Sequence, residues 1–303
     1  MVRFLFEPGL FSNDTVRTAL LLGALVSIVS GVVGVFTVLR GQSFAGHALT
    51  DVATAGGAGA SLAAWSPLVG FIGGGVIGAG AMDAIGVQRV KDRDVATGVV
   101  LGAATGLSAL FLYLITLQTT TTGSTQSILF GSVFTVAPST VPDVLVLSAA
   151  VLAGVALIRR PLLMSSISPE LAAARGVPLR VVGLIFMVML AAAVGLSAIV
   201  IGSILSTALL IGPPASALRV ATRLSHALVL ACALGVAATW LGVVFAYDSY
   251  YWLGAGRGLP VSFFVVADVA AEFVVVSLVA WRRRHRTAAV PESLTFPEQV
   301  GWV

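Results

Sequence analysis

Polar and apolar positions divide the chain into nine long apolar tracts set off by short polar or charged punctuation. They cover about 16–39, 47–65, 67–88, 95–117, 141–159, 181–198, 200–218, 225–246 and 260–281. Tracts of this length cross, or nearly cross, the roughly 30 Å hydrocarbon core of a bilayer as helices. Barrel strands would be shorter and would alternate in polarity. The pattern therefore predicts an all-α polytopic membrane protein. Its transmembrane domain covers residues 1–281, and a polar, Pro-containing cytoplasmic tail covers 282–303. The count turns on 181–218. Read as one long helix, this region gives eight spans. Gly202, Gly212 and the Pro213-Pro214 pair favour a break, because proline removes a backbone donor and disrupts the turn before it. Nine spans is the preferred reading.

Composition agrees. The 303 residues are 58% hydrophobic and 10% charged, with a mean hydropathy of +1.03. A soluble domain carries roughly 25% charged residues. The net charge of +4 reflects arginines beside the spans and points to topology, not to nucleic acid. Arg40, then Arg89, Lys91 and Arg93, then Arg159 and Arg160, then Arg219 and Arg223, and finally Arg282, Arg283, Arg284 and Arg286 make every second boundary basic. The positive-inside rule puts these boundaries, and the carboxyl terminus, in the cytoplasm. Glu7, Pro8 and Asp14 do not suit a cleavable signal peptide, so the first apolar run is expected to be a retained span. The single cysteine excludes an internal disulfide or a multi-cysteine zinc site.

Chemistry concentrates in the second tract. His47 and Asp51 stand four residues apart, one above the other on a single helix face. Thr50 and Thr54 extend that face into a polar stripe. An ionisable pair in a membrane helix is costly unless it meets a cavity, a partner or a cargo. Imidazole and carboxylate are also ligand types that divalent transition metals accept. The alternative is that the two side chains bond each other. Asp268 and Glu272 repeat the spacing in the last tract. They either line a cation path or, as favoured here, sit beside small or hydroxyl residues of neighbouring helices. Asp83 is expected to be partly wet, and His226 is expected to be a boundary residue.

The longest cytoplasmic connection, 159–180, holds one short helix. Ser168 is its cap, Pro169 opens its first turn and Glu170 lies near its positive dipole end. Gly176 followed by Pro178 is a stop. Such a helix is suited to docking a cytoplasmic partner.

With these segments in view, the chain resembles the membrane permease of bacterial zinc, manganese and iron ABC importers, from about residue 11 to 281. The similar features, in order, are the opening helix ending Gly34–Arg40, the His47/Asp51 helix and the Ile128–Pro138 segment. The helix between Ser168 and Pro178 and the broken segment Val200–Ala217 complete the series. The resemblance implies a type II importer-like permease bundle in the bacterial inner membrane, paired with a second copy. It further implies a cytoplasmic ATPase contacting the coupling helix within 161–178, through Ser168, Pro169, Glu170, Ala173, Gly176 and Pro178. A metal-binding protein outside would deliver Zn, Mn or Fe. That cation would be transported substrate, with no permanently bound cofactor, and His47 and Asp51 would meet it near the outer part of the path. Two features depart from the family. It usually carries Asp before His at the paired positions. It also has a shorter loop where this chain separates Asp248 from Pro260 by Tyr250, Tyr251 and Trp252.

No Walker A sequence is present, so the chain is not itself the ATPase. A second reading is a secondary ion-coupled transporter, which internal inverted repeats would support; the halves show no convincing match. A third, an intramembrane metalloprotease, would need two histidines flanking a glutamate, and none occur.

Overall fold

The computed structural model describes residues 13–85, 93–118, 128–131, 133, 134, 136, 138–252 and 258–288. The Thr/Ser/Gly run at 119–127, Arg89 and Lys91, and the tail from 289 onward lie outside the described residues.

Nine long helices and one short one follow in order among the described residues: α1 (Asp14–Leu39), α2 (Ser43–Leu62), α3 (Pro67–Ile85), α4 (Arg93–Gln118), α5 (Val141–Ile167), α6 (Pro169–Ala174), α7 (Leu179–Ile201), α8 (Ser203–Val220), α9 (Leu224–Trp252) and α10 (Val261–Ala288). Helices α1 and α7 form the centre. Their most apolar windows are 67% and 72% buried, against 17% for α4 and 11% for α10. Helices α2, α3 and α4 pack together on one side, with α3 and α2 resting on α7. Helices α8, α9 and α10 form a second group against α1, and α5 packs on both central helices. Where the two groups meet, α8 touches α2.

Seven of the long helices have the length and apolarity to cross a membrane; α2 and α8 do not reach that level. Helix α2 carries the His47–Thr54 stripe but is surrounded by α3, α4, α7 and α8. Thr50 and Thr54 are buried among these helices, where polar side chains are tolerated.

The break predicted within 181–218 is present, but it falls at Gly202 alone. This residue sits at φ +100, between Ile201 and Ser203. A Cβ there would be strained, and it would run into the backbone of Phe130 and Gly131, which packs against the break. The Gly212-Pro213-Pro214 run, by contrast, lies inside α8. Pro214 cannot donate to the Leu210 carbonyl. Beside that carbonyl and the Pro214 ring stands Gly34 of α1, whose missing side chain lets the two backbones meet. Tertiary packing thus carries a proline pair that local rules would use as a breaker.

Two other boundaries differ from expectation. Helix α5 continues to Ile167, through Arg159, Arg160 and Pro161, instead of ending at 159. Pro161 cannot donate to the carbonyl four residues before it, that of Leu157, which is an exposed residue. Helix α10 likewise runs past Arg282 to Ala288, into the stretch assigned to the tail.

Candidate functional site

Helix α2 starts immediately after the α1–α2 turn at Arg40–Gln42. The amide of Gly46 donates to the Gln42 carbonyl (2.9 Å) and closes its first turn. His47 therefore occupies the second turn of α2, and Asp51 lies near its middle. Counted from the basic boundary at Arg40, the pair spans the near half of the helix.

The two side chains face different neighbours. His47 Nδ1 lies 3.1 Å from Thr207 Oγ1 of α8. Thr50 Oγ1 is 3.3 Å from the same hydroxyl and donates to the Gly46 carbonyl (3.1 Å). On the α4 side, Thr105 Oγ1 donates to Asp51 Oδ2 (2.7 Å), and Ser108 Oγ donates to the Asp51 carbonyl (3.1 Å). No hydrogen bond joins His47 to Asp51, so the alternative in which they satisfy one another is not what the fold builds. Thr54 is 4% exposed and donates back to the Thr50 carbonyl (2.8 Å), one turn away from Thr207.

The result is a small polar seam, with His47, Thr50 and Thr207 at the α2–α8 contact and Asp51 with Thr105 at the α2–α4 contact. His47 and Asp51 are both half-buried, and Thr105 is exposed. Among the described residues, no three of His, Cys, Asp and Glu come together. A cation here would have one imidazole and one carboxylate, with water and hydroxyls completing its shell. Thr207, Thr105 and Ser108 did not stand out from sequence. They are isolated hydroxyls among small residues, and only the helix register places them against α2.

Asp268 and Glu272 lie elsewhere. Helix α10 packs on α8 and α9, so α8 stands between this pair and α2. Asp268 Oδ2 and Glu272 Oε2 are buried without a hydrogen-bond partner among the described residues. Asp83 is of intermediate burial: its side chain is 8% exposed and pairs with the largely exposed Arg180 at 3.3 Å, across α3 and α7. His226 is exposed at the start of α9, in keeping with a boundary residue. Asp248 is fully buried near the end of α9. Beside it, Ser249 Oγ accepts from the Leu259 amide (2.9 Å), tying α9 to the approach of α10.

The short helix expected between Ser168 and Gly176 forms, as α6. Ser168 Oγ accepts from the Leu171 amide (3.3 Å), Pro169 and Glu170 fill the first turn, and Gly176 takes φ +76 after the last.

A model of the ABC 3 transport family matches residues 12–276. The chain belongs to that family. Curated relatives include the manganese transport system membrane protein MntC of Halalkalibacterium halodurans, 32% identical over 61% of this chain and 62% of that protein. MntC of Listeria monocytogenes is 33% identical over 61% of this chain and 65% of that protein. The matched stretch thus spans a little under two-thirds of either relative's own length. Among solved structures, PsaBC from Streptococcus pneumoniae in complex with Fab is similar at a TM-score of 0.79 and 25% identity, covering 92% of this chain and 97% of that one. The helical architecture above is therefore that of an ABC-importer permease.

Proposed function

We propose that this family member is the permease subunit of an ATP-driven importer of divalent transition-metal cations, with manganese the foremost candidate over zinc and iron. The observation that carries the reading is a family match over nearly the whole chain, combined with one protein-enclosed helix presenting an imidazole and a carboxylate. The relatives named for manganese transport support the choice of cargo. One nitrogen, one carboxylate and hydroxyls suit manganese, zinc and ferrous iron alike.

In this reading His47 and Asp51 contact the cation in transit. If His47 Nδ1–H donates to Thr207, the imidazole is held in the tautomer whose Nε2 lone pair is free for a metal, as outer partners do in metal sites generally. Thr105 plays the corresponding part for Asp51, orienting one oxygen and leaving the other available. Two protein ligands hold an ion weakly, and weak holding lets it leave. Thr50 adds its hydroxyl to the seam. Asp268 and Glu272 stand off the path, across α8. The α6 segment docks an ATPase in the cytoplasm, a metal-binding protein delivers from outside, and a second copy completes the pore. The protein sits in the cell membrane with its carboxyl terminus inside.

Uptake of manganese, zinc and ferrous iron in competition, by vesicles holding the permease, its ATPase and its binding protein, tests this. The expected result is ATP-dependent manganese uptake that His47→Ala and Asp51→Ala each abolish without loss of assembly. Uptake that needs no ATPase would mean a secondary carrier instead, and parental uptake by both variants would remove the metal role.

A further inference from the structure

Arg40 stands where three parts of the chain converge. It follows the last residue of α1, and its amide donates to the Phe36 carbonyl (2.9 Å). Its Nε donates to Gln42 Oε1 (3.2 Å), within the three-residue turn that leads into α2. Its Nη1 donates to Ser165 Oγ (2.9 Å) in the last turn of α5, three residues before the Ser168 cap of the docking helix. Its guanidinium carbon lies 5.6 Å from the ring centroid of Phe186 on α7. Gln42, Ser165 and Phe186 are 4%, 8% and 0% exposed, so the contacts are made inside the protein and not on a solvated rim.

A guanidinium presents several donors in a rigid planar fork and stacks on aromatic faces. A single side chain can therefore hold the α1–α2 turn, the end of α5 and the face of α7 in fixed relation. From Gln42, one hydrogen-bonded turn leads to Gly46 and the next residue is His47. From Ser165, three residues lead to α6.

We propose that Arg40 is a positioning residue that transmits displacement of the docking segment to α2, so that ATP turnover at α6 moves the helix carrying His47 and Asp51. This rests on the reading of the chain as an ATP-driven permease. The link works through geometry: a shift of α6 that moves Ser165 pulls on the guanidinium that also holds the turn starting α2.

The test uses the full permease with its ATPase subunit and binding protein in vesicles, with Mn²⁺ as cargo. Mn²⁺ uptake and phosphate release are measured in the same vesicles, and co-purification of the ATPase reports assembly. Arg40→Lys keeps the charge and loses the fork. Ser165→Ala removes only the α5 contact and carries the test if Arg40→Lys does not accumulate. The expected result is intact co-purification and phosphate release, with Mn²⁺ moved per ATP falling about threefold or more in each variant. The double variant should be no worse than Arg40→Lys alone, because both changes cut one link. A parental Mn²⁺-to-ATP ratio in variants that assemble overturns the link and leaves the functional reading standing. Failure of the parental protein to couple Mn²⁺ uptake to ATP overturns the functional reading itself.

Discussion

At the residue scale, the seam separates hydroxyls by what they touch. Thr207 is shared by His47 and Thr50, whereas Thr54, on the same face of α2, bonds only its own helix. Replacing Thr207 by valine keeps the shape of the side chain and removes the hydroxyl that orients the imidazole. Loss of an outer partner of a metal-ligating histidine typically costs about tenfold to a hundredfold in affinity or activity. Manganese uptake by Thr207→Val should fall by about that factor, while Thr54→Val should transport at the parental rate. Equal losses in both would show that the stripe matters for packing and not for the cation. Glu272→Gln, across α8, should leave uptake unchanged, because nothing in the fold carries that carboxylate to α2.

At the scale of elements, the same local rules succeed at one place and fail at another. The cap, first turn and stop of α6 are legible because every signal is local: Ser168, Pro169, Glu170 and Gly176 act within two turns. Ser168→Ala should cost about 1 kcal/mol of local helix stability, seen as faster hydrogen exchange at the Leu171 amide. The α7–α8 break was also legible, with Gly202 among its signals, though not the reason it falls there. Gly202 has a positive φ and a neighbouring backbone that occupies the space of its Cβ; neither is visible without Phe130 and Gly131 folded against it. The Pro213-Pro214 pair misleads because Gly34, far away in sequence, accommodates the carbonyl they leave free. Gly202→Ala should therefore cost more than an ordinary surface change, about 1–3 kcal/mol for the backbone conformation alone. A drop in the midpoint of thermal unfolding in detergent checks this. The candidate ligands His47 and Asp51 were legible from their spacing. Their partners were not, since the register of α2 against α4 and α8 is a property of the packed bundle.

At the scale of the whole molecule, the break at Gly202 decides which way half the protein faces. If α7 and α8 are two crossings, the exposed turn at Ala221–Arg223 lies on the same side as Arg40 and α6. If they were one, it would lie on the side of the α2–α3 turn at Ser66. The arginines favour the first arrangement: Arg219 and Arg223 join Arg40, Arg159 and Arg160 on one face, as the positive-inside rule requires. Two exposed positions, Ser66 and Thr222, separate the cases. In a Cys232→Ala background, which removes the one native thiol, a membrane-impermeant maleimide applied to intact cells should label Ser66→Cys. It should label Thr222→Cys only after the membrane is opened. Labelling of both from outside would make α7 and α8 a single crossing and put the α8–α9 turn opposite α6. The central position of α7 argues against that outcome. This helix packs on α1, α2, α3, α5 and α8 and is buried along most of its length. A 23-residue helix at about 1.5 Å per residue already covers the hydrocarbon thickness without help from α8.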